Sequence, residues 1–357
     1  MKINKDLRHK LVPQMKIYDA LDFQFLPHLM FTQSPNFRSK VINTDSRGFR
    51  FNAIKRKKSV FNIDKKKKSI LILGGSTAFG VGASKDEKTI TGILEKKTKY
   101  NFLNLAGRGY SGLQESISLI SNIDEISTSN IKKIIIFSGL NDLYLNSSFI
   151  SRYPGMFYFY SNFISAMNNY FFSFKKRIMI KIINFFLLII GDQNDYDFKS
   201  LNRNNFINFI LSKKFRKVFL NKKRYEKLKL PQIINRNFRM YKSLEKTFNC
   251  KVIFVFQPVL KICKNPSIEE KKLLNYSEIY FADENKRLNR FLSKSLYKRY
   301  TKLFENISRK NKIKYFDSNI YLKKKNLSQE TLFVDNVHLN DKGNEIISRY
   351  LSNLINK

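Results

Sequence analysis

One serine, one aspartate and one histidine of this chain lie in a pattern that suits acyl-transfer chemistry. Ser76 follows the glycine pair Gly74-Gly75 directly after a short apolar run, and His338 follows Asp335 by three residues. A carboxylate at that spacing can hold one ring nitrogen of the imidazole, so that the other nitrogen can take the proton of a serine hydroxyl. The three residues are therefore candidates for a nucleophile, a general base and the acid that orients the base.

Ser76 by itself has three interpretations. Serine is a favoured N-cap of helices, and the stretch around Ser76 taken alone favours that role. A phosphate-binding turn is the second interpretation, but the G-x-G-x-x-G and G-x-x-x-x-G-K-[ST] spacings are both missing. The third is a nucleophile, which needs a base within reach and donors for an oxyanion.

Two further residues could donate hydrogen bonds to an oxyanion. Asn141 follows a predicted strand and carries a side-chain N–H, and Gly109 lies in the glycine-rich turn 107–112. A glycine there offers its backbone N–H with no Cβ in the way. Gly107 is a second candidate in the same turn. Because these donors, the serine and the histidine all follow predicted strands or strand-like segments, their joint presence favours a catalytic role for Ser76.

Strand and helix patterns alternate along most of the chain. The predicted strands are residues 70–73, 101–106, 131–138, 251–256 and 314–317, and the predicted helices are 87–97, 113–126, 233–248, 283–310 and about 341–354. The last helix has Asn340 as its predicted N-cap and Asp341 in its first turn. This alternation predicts a parallel sheet, whose carboxyl edge is where ligands bind. We therefore expect the candidate residues to meet at that edge.

The four segments that contain these residues resemble, in chain order, the blocks of the SGNH/GDSL hydrolase family, which is named for its Ser, Gly, Asn and His. Gly74-Gly-Ser-Thr77 is similar to the first block, Asn104-Leu-Ala-Gly-Arg-Gly109 to the second, Gly139-Leu-Asn-Asp142 to the third, and Asp335-Asn-Val-His338 matches the D-x-x-H of the last. The family's common G-D-S has Asp where this chain has Gly75. Because that Asp is not part of the triad, the departure concerns the subfamily and not the mechanism.

The resemblance covers about residues 68–143 and 250–356. It implies a three-layer α/β/α sandwich with a flavodoxin-like parallel sheet of about five strands. It also implies a serine esterase that hydrolyses a carbohydrate O-acyl, lipid or small ester through an acyl-enzyme, with Ser76, Gly109, Asn141, Asp335 and His338 as site residues and no cofactor or metal. An O-acyltransferase that acts on a surface glycan with the same triad is the alternative.

The expected domain organisation has an N-terminal extension, 1–64, and a hydrolase domain, 65–357, with an insertion at about 144–230. Residues 43–50 in the extension predict an ordinary surface turn. In the insertion, the apolar stretch 177–190 is too short and interrupted for a transmembrane helix. It favours a packing helix, and the alternative is an interfacial or lid helix that makes a peripheral membrane contact.

Composition adds little about partners. The 67 Lys and Arg residues outnumber the 28 Asp and Glu residues, which gives a net charge of +39, but the lysines are spread along the chain without a nucleic-acid-binding motif. We therefore expect no specific nucleic-acid partner. A non-catalytic binding protein for anionic polymers is the alternative from another functional class. Two cysteines and three histidines predict neither a disulfide framework nor a metal cluster. The N-terminus lacks the apolar region of a signal peptide, which predicts a cytoplasmic protein.

Overall fold

The computed structural model describes residues 6–26, 28–52, 59–62, 64–127, 130–147, 230–280 and 293–356. The chain divides into two units, Met1–Tyr158 with Leu228–Lys357, and Phe159–Lys227. The second unit lies wholly outside the described residues, and so does the stretch 177–190. The predicted domain boundaries, the roles of that stretch and the cytoplasmic location stay predictions.

The described elements alternate between strand and helix after residue 68. The strands are β1 (Phe23–Leu26), β2 (Met30–Gln33), β3 (Ser69–Gly74), β4 (Asn101–Asn104), β5 (Ile131–Ser138), β6 (Lys251–Phe256) and β7 (Lys314–Asp317). The helices are α1 (Asp6–Leu11), α2 (Met15–Ala20), α3 (Ser76–Phe79), α4 (Ile90–Lys97), α5 (Gly112–Ile120), α6 (Ile123–Ser127), α7 (Leu140–Ser147), α8 (Leu230–Phe248), α9 (Leu260–Cys263), α10 (Ile268–Tyr280), α11 (Lys294–Lys310), α12 (Ser318–Lys324) and α13 (Asp341–Ile355).

The central sheet has five parallel strands in the order β4-β3-β5-β6-β7. Numbered along the chain within this sheet, that order is 2-1-3-4-5, which is the flavodoxin-like order. Helices α4 and α13 pack on one face, and α5, α8 and α11 pack on the other. The predicted three-layer α/β/α fold is therefore confirmed.

The apolar run of β3 supplies both faces of the sheet. Ile70 and Ile72 belong to one buried cluster, whereas Leu71 and Leu73 belong to the other. Successive side chains of a strand point to opposite faces, so a strand without polar breaks fits only a sheet that is covered on both sides. The sequence pattern thus indicates an interior strand, and β3 lies between β4 and β5 in the sheet.

Three predicted strands have the expected bounds, whereas the second predicted strand ends earlier, at Asn104, and the predicted helix 87–97 begins later, as α4 at Ile90. The part of the predicted helix 283–310 before residue 293 lies outside the described residues. The third, fourth and fifth predicted strands match β5, β6 and β7, and Asn340 caps α13 by accepting a hydrogen bond from the Gly343 N–H at 2.9 Å. The predicted helix 113–126 is instead two helices, α5 and α6. Its interruption falls at Ser121 and Asn122, where the Asn122 amide donates to the Ser118 carbonyl at 2.7 Å. Short polar side chains compete in this way with the helical backbone.

The N-terminal segment, which is the part of the predicted extension that includes α1, α2, β1 and β2, packs against the sheet domain. Its buried side chains in the first apolar cluster are Val12, Met15, Tyr18, Leu21, Val41 and Ile42. The surface turn predicted at 43–50 is present only at its tip, where residues 46 and 47 are exposed and the Gly48 N–H donates to the Asp45 carbonyl at 3.1 Å. Its flanks are buried: the Arg50 side chain is only 1% exposed, and its Nε donates to Asp86 Oδ1 at 2.8 Å. The charges and the glycine of this stretch predicted exposure to solvent. In the structure the buried carboxylate of Asp86, 36 residues away in the chain, pairs with the Arg50 guanidinium.

Candidate active site

The turn after β3 positions Ser76. Gly75 occupies the N-cap position of α3, and Ser76 is the first residue of that helix. The N-cap interpretation of Ser76 is therefore wrong, because the backbone enters the helix one residue earlier. The helix ends after a single turn at Gly80, whose left-handed φ of 91° lets its N–H return to the carbonyl of Ser76. The serine thus lies on a short, sharply bounded turn beyond the strand.

Ser76, His338 and Asp335 form a continuous hydrogen-bonded chain. His338 Nε2 lies 2.7 Å from Ser76 Oγ, and His338 Nδ1 lies 2.6 Å from Asp335 Oδ2. The other carboxylate oxygen, Oδ1, accepts the backbone N–H groups of Val337 at 2.9 Å and His338 at 2.8 Å. These backbone bonds fix the carboxylate, so that its free oxygen faces the imidazole. The three-residue spacing builds this arrangement locally.

Asp335 is held in its ionised form. Burial alone would raise the pKa of this carboxyl, but the charge and hydrogen bond of His338, together with the Arg8 guanidinium, hold the pKa well below its ordinary value. Arg8 Nη2 lies 3.7 Å from Asp335 Oδ2. An ionised carboxylate in this position favours the imidazole tautomer with the proton on Nδ1, which leaves Nε2 free to accept a proton.

Asn141 lies at the start of α7, beside the nucleophile turn. Its Nδ2 donates to the Tyr110 carbonyl at 2.7 Å, and a Cβ built on Gly75 would lie only 2.5 Å from this same nitrogen. Gly75, the position where the family pattern has Asp, therefore leaves space for the Asn141 amide. In this chain a larger residue at position 75 would displace that amide.

The two glycines of the 107–112 turn differ in what their backbones do. The Gly107 N–H donates to the Gly74 carbonyl at 3.2 Å, which continues the pairing of β3 with β4. Gly109 has a φ of 75°, a conformation that glycine adopts readily, and it lines the same cavity as Ser76. Of the two candidates, Gly109 is the one that lines this cavity.

A cavity of about 300 Å³ lies over Ser76. Four of the five predicted site residues line it, and Asp335 lies behind His338. The residues that line it are Arg8, Met15, Tyr18, Asp19, Ser76, Val81, Arg108, Gly109, Leu140, Asn141, Tyr144, Val337 and His338. Four of these belong to α1 and α2, in the predicted extension. None of these four residues lies in a recognisable motif block, so none was predicted as a site residue.

A pair of buried carboxyl groups, Glu115 and Asp142, lies on the helices that follow Gly109 and include Asn141. Glu115 of α5 accepts hydrogen bonds from Ser138 Oγ and, at 2.8 Å, from the Tyr241 hydroxyl. Asp142 of α7 accepts the Gly112 N–H at 3.2 Å. Burial, and then the charge of Asp142, raises the pKa of Glu115 to about 8, and burial raises the pKa of Asp142 to about 6. The protonated form of Glu115 is therefore favoured up to a higher pH than in an exposed glutamate.

Two classes of feature are absent from the described part of the chain. Within it, no three His, Cys, Asp or Glu side chains are grouped as a metal site. Nor is any helix among those residues long and apolar enough to span a bilayer.

Comparisons with known proteins show only distant likeness. No protein-family model and no curated protein matches the chain. Among solved structures, it is similar to an acetyl xylan esterase, with 12% identity, a TM-score of 0.36 and coverage of 80% of this chain and 98% of that one. It is also similar to a two-domain esterase active on acetylated mannans, with 10% identity, a TM-score of 0.36 and coverage of 81% of this chain and 48% of that one. A third similar structure is a lipase from a goat rumen metagenome, with 14% identity, a TM-score of 0.34 and coverage of 80% of this chain and 96% of that one. With TM-scores this low, the assignment of the site depends on the chain's own geometry.

Proposed function

We propose that the chain is a serine esterase of the SGNH/GDSL type, which hydrolyses an ester through a covalent acyl-enzyme. One observation carries the proposal: the Ser76 hydroxyl, both ring nitrogens of His338 and the Asp335 carboxylate are joined by contacts of 2.7 and 2.6 Å. A nucleophile bonded to a base that is itself oriented by a third group is the general pattern of an activated serine.

In the acylation step, Ser76 Oγ attacks the ester carbonyl while His338 Nε2 takes the hydroxyl proton. The C–Oγ bond forms, and the carbonyl electrons move to the oxygen to give a tetrahedral oxyanion. When that intermediate collapses, the bond to the alcohol breaks and His338 returns the proton to the leaving oxygen. Asp335 keeps the imidazole oriented and stabilises its charged form.

Three donors are proposed for the oxyanion: the backbone N–H groups of Ser76 and Gly109, and the side-chain amide of Asn141. Ser76 is at the first position of α3, where the N–H has no partner within the helix. Gly109 and Asn141 line the cavity with Ser76. Donors fixed in advance at the place where negative charge develops lower the barrier without reorganising.

Water then completes the cycle by attacking the acyl-enzyme, with His338 as its base. The acid product leaves, and Ser76 regains its proton. The ester class, whether carbohydrate O-acyl, lipid or small ester, stays a prediction, as do the O-acyltransferase and anionic-polymer alternatives.

The direct test is labelling with a fluorophosphonate probe combined with turnover of p-nitrophenyl acetate. The wild-type protein should be labelled at Ser76 and should turn over the ester, and Ser76→Ala should lose both properties while its melting temperature is preserved. Ser243→Ala, which removes an exposed hydroxyl bonded within its own helix, is the control and should behave as the wild type. A folded Ser76→Ala protein with undiminished turnover would refute the proposal.

A further inference from the structure

The N-terminal segment holds the chain that follows the nucleophile. The Tyr18 hydroxyl lies 2.7 Å from the Gly80 carbonyl oxygen and 2.8 Å from that of Ala83. Gln14 Nε2 donates to the Gly82 carbonyl at 2.9 Å. These bonds fix α2 against the turn in which α3 ends. The segment is therefore attached to the nucleophile turn by specific polar contacts as well as by its apolar side chains.

The N-terminal segment also contacts the turn 107–112, which contains Gly109. The neighbouring Arg108 donates from Nη1 to the Tyr18 carbonyl at 2.8 Å and from Nη2 to the Asp22 carbonyl at 3.2 Å. Its guanidinium also lies over the Phe23 ring, 4.1 Å from the centroid. The oxyanion side of the site is thus linked to residues 18–23 of the segment.

The third contact reaches the acid of the triad. Arg8 lies on α1, and its side chain is only 14% exposed. Nη1 contacts both carboxylate oxygens of Asp19 at 2.9 and 3.0 Å, while Nη2 lies 3.7 Å from Asp335 Oδ2. That oxygen is the one that contacts His338 Nδ1. Asp19 therefore holds the guanidinium in a position where its charge acts on the triad acid.

We propose that Arg8 is a positioning residue of the candidate active site: its guanidinium, beside Asp335 Oδ2, holds that carboxylate toward His338, and its positive charge opposes the addition of a proton to the imidazole. The proposal rests on the proposed esterase function. A positive charge beside the carboxylate disfavours the addition of a second positive charge on the imidazole. Arg8 should thus extend activity to lower pH, and Asp19, which partly neutralises Arg8, should limit that effect.

The other charged groups around this site have partners of their own. His9 shares Asp19 with Arg8, at 2.9 Å, and on α10, which packs against α1, Glu270 pairs with Lys264. The remaining contacts are those of Glu269 with the Thr331 hydroxyl, of Asp341 with Ser84 and of Arg108 with the backbone of the segment. Among these groups, Arg8 is the cation that contacts Asp335.

The test measures the rate of Ser76 labelling by a fluorophosphonate probe between pH 5 and 9, because this rate reports nucleophile activation without the natural substrate. Arg8→Gln should move the acid limb of the profile upward by about half a pH unit, which is about a threefold lower rate on that limb. Arg8→Lys should restore at least half of the shift. Asp19→Asn keeps one side-chain oxygen that can accept from Arg8 but removes the negative charge that partly neutralises it, so this variant should move the limb in the opposite direction, to lower pH.

Lys10→Gln is the matched control, since it removes an exposed positive charge two residues away on the same helix. It should leave the profile unchanged. The inference is overturned if a folded Arg8→Gln protein keeps the wild-type profile, if Lys10→Gln shifts the profile as far as Arg8→Gln does, or if Arg8→Lys shifts it as far as Arg8→Gln does. If Arg8→Gln does not fold, Arg8→Lys and Asp19→Asn decide. Absence of labelling in the wild-type protein would instead remove the proposed esterase function.

Discussion

Asp335 and the pair formed by Glu115 and Asp142 are largely buried carboxyl groups near the active site, yet their pKa values move in opposite directions. The pKa of Asp335 lies below its ordinary value, whereas the pKa values of Glu115 and Asp142 rise to about 8 and about 6. Burial favours the protonated form in all three cases. The neighbours therefore decide the outcome.

The neighbours of the two regions differ in charge. Asp335 faces an imidazole, the Arg8 guanidinium and two backbone N–H groups, all of which favour the anion. Glu115 faces two hydroxyl groups and a second carboxyl, which cannot offset the loss of solvation. One fold thus favours the anion of one buried acid and the protonated form of another. In the proposed esterase, the charged acid orients His338. The same carboxyl-to-amide change should consequently affect activity in the first region and stability in the second.

Asp335→Asn should have the largest effect on activity. The amide keeps the shape of the side chain but can hold His338 in the wrong tautomer, so kcat for p-nitrophenyl acetate should fall by about 10⁴. The melting temperature should change little, because the Oδ1 acceptor for the backbone N–H groups is retained. A loss of less than about tenfold would mean that charge at position 335 is not what distinguishes the two regions.

Asn141→Ala should have the next largest effect on activity. Asn141 lies between the two regions, because its amide is next to Gly75 in the nucleophile turn and Asp142 is the next residue in the chain. Loss of one oxyanion donor lowers kcat by about 10² to 10³. Gly75→Ala is a second variant, because its Cβ would displace the Asn141 amide without removing it, and its loss of kcat should be smaller. If Asn141→Ala stays within a few-fold of the wild type, another group is the donor.

Glu115→Gln should have the smallest effect, and it concerns stability. The pKa of Glu115 is raised from 4.5 to about 8 in the folded protein. The stability contributed by its protonated form is therefore complete below about pH 4.5 and is lost as pH rises through about 8. Glu115→Gln carries no such charge, so its urea midpoint should fall less than that of the wild type between pH 6 and 9, while kcat at pH 7 stays within about threefold.

Glu305→Gln serves as the control for this stability measurement, because Glu305 is an exposed partner of Arg309 on α11. Its pH dependence should match that of the wild type. Parallel declines for Glu115→Gln and the wild type would contradict the assignment of a neutral Glu115.

The sequence predicted the strands that hold the site more accurately than the segment that covers it. Strands β5, β6 and β7 have the predicted bounds. For β5 and β6 the reason is that a run of apolar residues suits a strand buried on both faces of a parallel sheet. β7 is instead a short, partly exposed edge strand. Residues 43–50 were predicted as exposed, since a charged, glycine-containing stretch has the composition of a surface turn. Nothing local indicates that Asp86 will pair with Arg50 inside the protein.

The sequence by itself determined the D-x-x-H arrangement and the succession of strands along the chain, but not their order in the sheet. Asp335 and His338 are three residues apart, so their contact and the backbone bonds that fix it are formed within one turn of chain. Only the tertiary structure decided that Arg8 lies beside Asp335 and that Gly75 gives space to Asn141. Such contacts depend on how α1, α2 and the sheet edge pack together. Because their partners are separated by tens to hundreds of residues, no local spacing or periodicity records them.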